Sequence, residues 1–334
     1  MSLSTSDIAL GSIFSVQPPD FDSLALEVFR FQYSYNKLYR NFCDALQVKV
    51  DDVSGTHSIP FLPVGFFKSK EIKTTEFETS LVFKSSGTTG SDHSSHFVKD
   101  ALIYETSFTK NFTFVYGDIT RYCIIGLLPS YLEKTDSSLV YMVNELIKSS
   151  ANTNSGFYLY DHEKLHSLLQ ENEKKGQPTI LIGVTFALLD FADVFQMKLK
   201  HTLVMETGGM KGRKKEITRE EVHAQLKQRL GLDEVHSEYG MTELLSQAYA
   251  TKDGIYSPPP WMKMMVRAED DPLQVIAGEE SIKITGGGNI IDLANIYSCA
   301  FIATDDLVRL HPDGKFEILG RLENSDIRGC GLMI

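Results

Sequence analysis

The chain has 334 residues, is 42% hydrophobic and carries a formal net charge of −11, the profile of a globular protein with enough length for a sizeable core. Its densest basic cluster is the short KGRKK at 211–215, which excludes the concentrated positive charge that duplex nucleic acid demands, so no nucleic-acid partner is expected. No apolar run reaches the roughly 18 residues that span a bilayer. The opening MSLSTSDIALGSIFSV has no basic segment leading into a long apolar core, so no signal peptide is expected. The four cysteines, Cys43, Cys123, Cys299 and Cys330, show no C-x-x-C spacing and read as the reduced thiols of a cytoplasmic protein.

In chain order, apolar residues recur at helical spacing over 22–47, with Asp22 as the predicted cap. A Pro-containing linker is expected at 60–64. Short apolar runs then alternate with amphipathic patterns: strands are predicted at 81–83, 123–129, 157–161, 179–185 and 201–209, and helices at 137–149, 161–174, 186–198 and 216–230. This alternation predicts an α/β fold with a mostly parallel sheet covered by helices. From about 254 the character changes. PPPW, SIKITGGGN and VRLHPDGKFEILGR read as turns and hairpins, with PDG at 312–314 as a turn. There is no internal repeat, and composition marks no linker between independent domains.

Several motifs fall away on their chemistry. HEKLH at 162–166 has the spacing of a zinc-binding helix, but Lys164 sits between the histidines and Leu165, Leu168 and Leu169 form an ordinary buried stripe. GGGNII at 286–291 lacks the final glycine of a dinucleotide fingerprint, and no G-x-x-x-x-G-K-[ST] loop exists. By contrast, SSGTTGSD follows the apolar LVF and offers two glycines three apart among hydroxyl side chains. Such a loop turns tightly and exposes N–H and O–H donors, which suits phosphate oxygens. A plain surface turn has the same composition.

Four stretches in order settle between those two. SSGTTG at 85–90, EYGMTE at 238–243, ATDDLVRLHPDGKFEILGR at 303–321 and SDIRGCGLMI at 325–334 resemble the phosphate loop, the Y-G-x-T-E motif, the T-G-D segment and the hinge of the adenylate-forming superfamily. That superfamily includes acyl-CoA synthetases, firefly luciferase and peptide-synthetase adenylation domains. The resemblance implies ATP and Mg²⁺ as cofactors. It implies that Ser85, Ser86, Gly87, Thr88, Thr89 and Gly90 hold the β and γ phosphates, and that Glu243 is the Mg²⁺ ligand, a hard oxygen donor. Thr242 would donate to the α-phosphate. Gly208, Gly209, Tyr239 and Gly240 would receive adenine, Asp306 would accept from the ribose hydroxyls, and Arg321 would donate to ribose or phosphate. Each charged residue taken singly also fits a solvated surface position.

The departures point to a branch. The chain stops at Ile334, Asp305 stands where the superfamily has the Gly of T-G-D, and Arg328 where Lys is usual. With the ending RGCGLM, these features resemble the acyl-protein synthetases of bacterial bioluminescence, the LuxE type. The resemblance implies an adenylation domain over 1–320, β-rich over about 254–320, and a shortened hinge tail over 321–334, with no mobile C-terminal domain. It implies activation of a fatty acid as acyl-AMP, transfer of the acyl group to Cys330, and delivery to an acyl-CoA reductase-type partner. Cys330 suits that role: thiolate is a strong nucleophile toward an activated carbonyl, Gly329 and Gly331 leave it unhindered, and Arg328 favours the charged form. Lys211, Arg213 and Lys214 are candidates for a cation near the α-phosphate, and VTFALLDFADVF at 184–195 reads as an acyl-tunnel wall or a core helix. Two alternatives stay open: a phenylacetate-type CoA ligase, and a non-catalytic nucleotide- or partner-binding subunit. The oligomeric state is open as well.

Overall fold

A computed structural model describes residues 10–85, 93–129, 133–208, 217–269, 271–276 and 282–322. The chain forms two compact units, Glu78–Pro259 and a second made of Met1–Phe77 with Pro260–Ile334.

In the Glu78–Pro259 unit, Gly156–Phe157, Cys123–Leu127, Thr179–Val184, Thr202–Thr207 and His236–Tyr239 lie side by side as parallel strands. Ala248–Ala250 and Tyr256–Ser257 extend the sheet antiparallel. CIIGL and TILIGV are buried throughout, as expected of parallel strands covered on both faces, which is why they read as continuous apolar runs. The helices Ser138–Ser150, His162–Lys175 and Arg219–Leu230 fall where the sequence predicts them, each started by a hydroxyl or Asp cap: Ser137, Asp161 and Thr218. The helix expected over 186–198 is Thr185–Val194. It stops early because the N–H groups of Met197 and Leu199 bond instead to the carbonyls of Arg229 and Leu230 (3.0 and 2.9 Å). The strand expected at 157–161 is only Gly156–Phe157, since Asp161 turns back on Tyr158 to cap the next helix. Sequence periodicity misses the helix Ala101–Tyr116 altogether. Its buried stripe includes Ser107 and Asn111, which bond to Ser246 (3.1 Å) and to the carbonyl of Gln247 (2.7 Å).

In the other unit, Met262–Arg267, Ile284–Asp292, Phe301–Leu310 and Phe316–Arg321 form an antiparallel meander. The PDG turn closes its last hairpin, with His311 N–H bonded to the Lys315 carbonyl (2.8 Å). SIKITGGGN is not a turn, however: its glycines lie inside the nine-residue strand Ile284–Asp292. The expected linker at 60–64 supplies the strand Leu62–Pro63, parallel to Phe301–Leu310, with Leu62 buried and Pro63 exposed at the edge. The long helix expected over 22–47 is two helices, Phe21–Tyr35 and Lys37–Ala45. Asn36 breaks it by accepting from Tyr39 N–H (3.0 Å) and donating to the Ser298 carbonyl (2.9 Å). Asp22 is a first-turn acid paired with Lys263 (2.9 Å), while Asp20 occupies the cap position. Among the described residues no helix is long and apolar enough to cross a membrane.

Candidate active site

The strands Leu81–Lys84 and Ser95–Val98 form a hairpin that flanks the SSGTTGSD loop. Ser85 closes its neck. The Ser85 N–H donates to the Ser94 carbonyl (3.0 Å), its hydroxyl accepts from Ser94 N–H (2.9 Å), and its carbonyl lies 2.6 Å from His93 Nδ1. Ser86, Gly87, Thr88, Thr89 and Gly90 lie outside the described residues, as do Gly209, Cys330 and the basic residues Lys211, Arg213 and Lys214.

EYGMTE begins in the strand His236–Tyr239 and continues into a turn closed by Leu244 N–H on the Met241 carbonyl (3.1 Å). Glu243 ends this turn with 7% exposure. The Thr242 carbonyl lies 2.8 Å from His96 Nδ1. Burial pushes the His96 pKa down to about 4, against the opposite pull of the Thr242 carbonyl. The ring is therefore neutral near pH 7, and its Nδ1–H is the donor. A histidine on the strand leaving the first motif thus holds the backbone of the second. Downstream, the Ser107–Ser246 and Asn111–Gln247 bonds pin the same segment to the helix Ala101–Tyr116.

Tyr239 is 9% exposed, and its ring leans on Tyr256 at 5.8 Å. The Arg219 guanidinium lies over the other ring, 5.3 Å from the Tyr256 centroid. Gly208 follows the strand Thr202–Thr207 in the left-handed region, at φ +67°, and its carbonyl accepts from the Thr185 hydroxyl (2.6 Å).

Two buried acids escape sequence reading. Glu206 sits 2.9 Å from the Thr185 hydroxyl and pairs with Arg219 (3.4 Å) and His223 (3.6 Å). Burial drives its pKa upward, but His223, Arg219, Ser237 and Thr185 outweigh burial and hold it below the usual value. Glu238 accepts from the Thr207 hydroxyl (2.5 Å). Burial pushes its carboxyl up to about 7, opposed by Thr207 and helped by the Glu206 charge. A Cβ on Gly240 would stand 2.5 Å from Glu238 Oε1, so a side chain there would require the Glu238 carboxylate to shift. The available signal was position: both acids stand near the carboxyl end of a parallel strand, within two residues of a glycine, where α/β sheets build their sites.

In the other unit, Asp306 and Arg321 are cross-strand partners. Arg321 is 65% exposed. Its Nη2 lies 3.4 Å from Asp305 and its Nε 3.9 Å from Asp306. The extra acid at 305 therefore engages the arginine that the sequence assigns to the nucleotide.

Among the described residues, no group of three or more His, Cys, Asp and Glu is arranged to hold a metal ion, at HEKLH or elsewhere. His162 packs edge-on to Phe191 and His166 stacks on Phe195 at 4.7 Å. Cys43, Cys123 and Cys299 are buried free thiols, as the sequence suggests.

Solved structures share the fold. The ATP-bound MatB of Rhodopseudomonas palustris is 18% identical with a TM-score of 0.53, over 75% of this chain and 49% of its own. The O-succinylbenzoate coenzyme A synthetase of Bacillus subtilis with ATP and magnesium is 15% identical with a TM-score of 0.51, over 78% and 55%. A long-chain-fatty-acid-CoA ligase of Archaeoglobus fulgidus is 14% identical with a TM-score of 0.50, over 73% and 52%. The chain spans about half the length of each. No curated protein sequence matches it. The fold is that of the adenylate-forming enzymes, an α/β architecture. The family model for "Acyl-protein synthetase, LuxE" matches residues 12–334, and the chain belongs to the LuxE acyl-protein synthetase family.

Proposed function

We propose that the protein activates a fatty acid with ATP and then carries the acyl group as a thioester on Cys330. The observation that carries this reading is the 2.8 Å bond from His96 to the Thr242 carbonyl, which joins the strand leaving the phosphate loop to the turn bearing Thr242 and Glu243. Phosphate-binding donors and a hard carboxylate joined in this way suit charge building on a phosphate.

In the first step an oxygen of the substrate carboxylate bonds to the α-phosphorus of ATP. The bond from that phosphorus to pyrophosphate breaks, giving acyl-AMP. The Thr242 hydroxyl donates to the α-phosphate, and Ser85 with the loop after it holds the leaving phosphates. Glu243 is the residue that would hold Mg²⁺, and its donor chemistry fits, because Mg²⁺ takes one or two protein carboxylates and fills its other positions with phosphate and water. The ion would neutralise phosphate charge. Gly208 and Gly240 let adenine approach the backbone beside Tyr239, while Asp306 accepts from the ribose and Arg321 donates.

In the second step the Cys330 thiolate attacks the acyl carbon, the bond from that carbon to AMP breaks, and a thioester remains for a cytoplasmic acyl-CoA reductase-type partner. Family membership supports the protein-bound acyl group. The likeness to a protein described as a long-chain-fatty-acid-CoA ligase supports the fatty substrate.

ATP–pyrophosphate exchange with a panel of fatty and aromatic acids tests the first step. Exchange that depends on one acid class and is lost in Thr242→Val supports the reading. Nucleotide binding without exchange for any acid favours a non-catalytic subunit.

A further inference from the structure

The three glycines at 286–288 form no dinucleotide site, yet they interrupt a long strand. The Arg267 side chain explains the middle one. Its side chain is 7% exposed. Its Nη1 donates to the Gly288 carbonyl (2.5 Å) and to Asn289 Oδ1 (2.9 Å), and its Nη2 to the Thr304 carbonyl (2.5 Å). A Cβ on Gly287 would stand 2.7 Å from the guanidinium carbon, and one on Gly286 would stand 2.3 Å from the Arg267 carbonyl oxygen. Real Cβ atoms do not approach so closely, so Gly287 clears the space this side chain fills and Gly286 lets the neighbouring backbone approach, while a Cβ on Gly288 would meet Val308 and Thr304 at 2.8 and 2.9 Å.

The space is a break in strand register. Gly287 pairs with Leu307, and Asn289 with Ala303. One residue, Gly288, therefore faces the three residues Thr304, Asp305 and Asp306. A bulge of this kind leaves backbone groups without ladder partners and re-aims side chains. Arg267 supplies donors to carbonyls on both sides of the break, while the Thr304 hydroxyl bonds to the Gly288 carbonyl (3.1 Å) and accepts from Asp306 N–H (3.2 Å). A buried cation persists only when anions and acceptors compensate it. Burial lowers the Arg267 pKa, and the charges of Asp305 and Asp306 oppose that change.

We infer that Arg267 is a positioning residue for nucleotide ribose: it holds the bulge open so that Asp306 is presented as an acceptor at a fixed orientation. The inference rests on the nucleotide reading of Asp306 above. It also accounts for the acid at 305 where the superfamily has glycine, since a buried cation behind the bulge offsets the second negative charge. A planar fork with several donors is needed to reach both strands, which the single ammonium of lysine does not reproduce.

The test compares binding of ATP, 2′-deoxyATP and 3′-deoxyATP to the full chain by titration calorimetry, in wild type, Arg267→Lys, Arg267→Gln, Gly287→Ala and Asp306→Asn. Hydrogen bonds from ribose hydroxyls to a carboxylate predict that wild type prefers ATP over a deoxy analogue by roughly tenfold or more. Arg267→Lys and Gly287→Ala, which leave a cation in place but disturb its fork, are expected to lose most of that preference and to approach Asp306→Asn. A merely structural role would lower the melting temperature and leave the preference intact. Folded Arg267 variants with wild-type preference overturn the inference while the nucleotide reading stands. Wild type that binds no ATP overturns the nucleotide reading itself, and this inference with it.

Discussion

His96 Nδ1 and the Thr242 carbonyl lie 2.8 Å apart although 146 residues separate them in sequence. The bond is part-buried, and it ties two stretches that lie in different sheets. Replacing His96 by Leu leaves the Thr242 carbonyl without this donor, at a cost of about 1–3 kcal/mol. His96→Asn keeps an N–H at nearly the Nδ1 position. The expected result is a lower melting temperature and at least roughly tenfold slower pyrophosphate exchange for Leu, with much of the exchange restored in Asn. Equal exchange rates in the two variants contradict the positioning role.

Glu238 gives the protein a pH signature. Its folded-state pKa is raised from 4.5 to about 7, so between those values the folded state binds more protons than the unfolded state. Stability then falls as pH rises through this window and levels off above about 7. The full effect is on the order of 3 kcal/mol. Glu238→Gln, which keeps an acceptor for Thr207, is expected to gain stability relative to wild type from pH 5 to pH 8. Urea melts at both pH values check it, and a constant difference would contradict it.

Gly240 has a steric duty beside that acid. A methyl group there meets Glu238 Oε1 at 2.5 Å, so Gly240→Ala is expected to destabilise by about 1–3 kcal/mol. In the double variant with Glu238→Ala, which removes the colliding oxygen, the added cost of Gly240→Ala is expected to fall sharply. Additive costs in thermal melts would show that the collision is relieved elsewhere.

Legibility tracked burial. CIIGL and TILIGV were readable because both faces are covered, leaving uninterrupted apolar runs. The helix Ala101–Tyr116 was not readable because Ser107 and Asn111 face inward to bond the segment after EYGMTE, and polar residues on a buried face erase the hydrophobic period. Asn36 split a periodic helix for a similar reason: its amide serves distant backbone that local sequence does not reveal. Of the candidate site, Ser85, Thr242, Glu243, Asp306 and Arg321 are singled out by motif order alone. The bonds of His96, Glu206, Glu238 and Arg267 are not legible, since they reach residues distant in sequence. The glycines at 286–288 were mistaken for a turn because a strand normally has no use for them.

Glu243 is expected to separate binding from chemistry. Glu243→Gln keeps size and an oxygen acceptor but loses the charge suited to Mg²⁺. ATP affinity measured in EDTA should stay near wild type, while the affinity gained on adding Mg²⁺ shrinks and pyrophosphate exchange falls by roughly a hundredfold or more. An unchanged Mg²⁺ response would remove Glu243 from the metal role.

The most direct test of the account is intact-mass spectrometry after incubation with ATP, Mg²⁺ and a panel of fatty and aromatic acids, with Cys330→Ala alongside. The account predicts a hydroxylamine-labile acyl mass on wild type with a fatty acid, and none on the variant. Pyrophosphate exchange without any protein adduct, together with acyl-CoA formation when CoA is supplied, would contradict it and assign the acyl group to an external thiol.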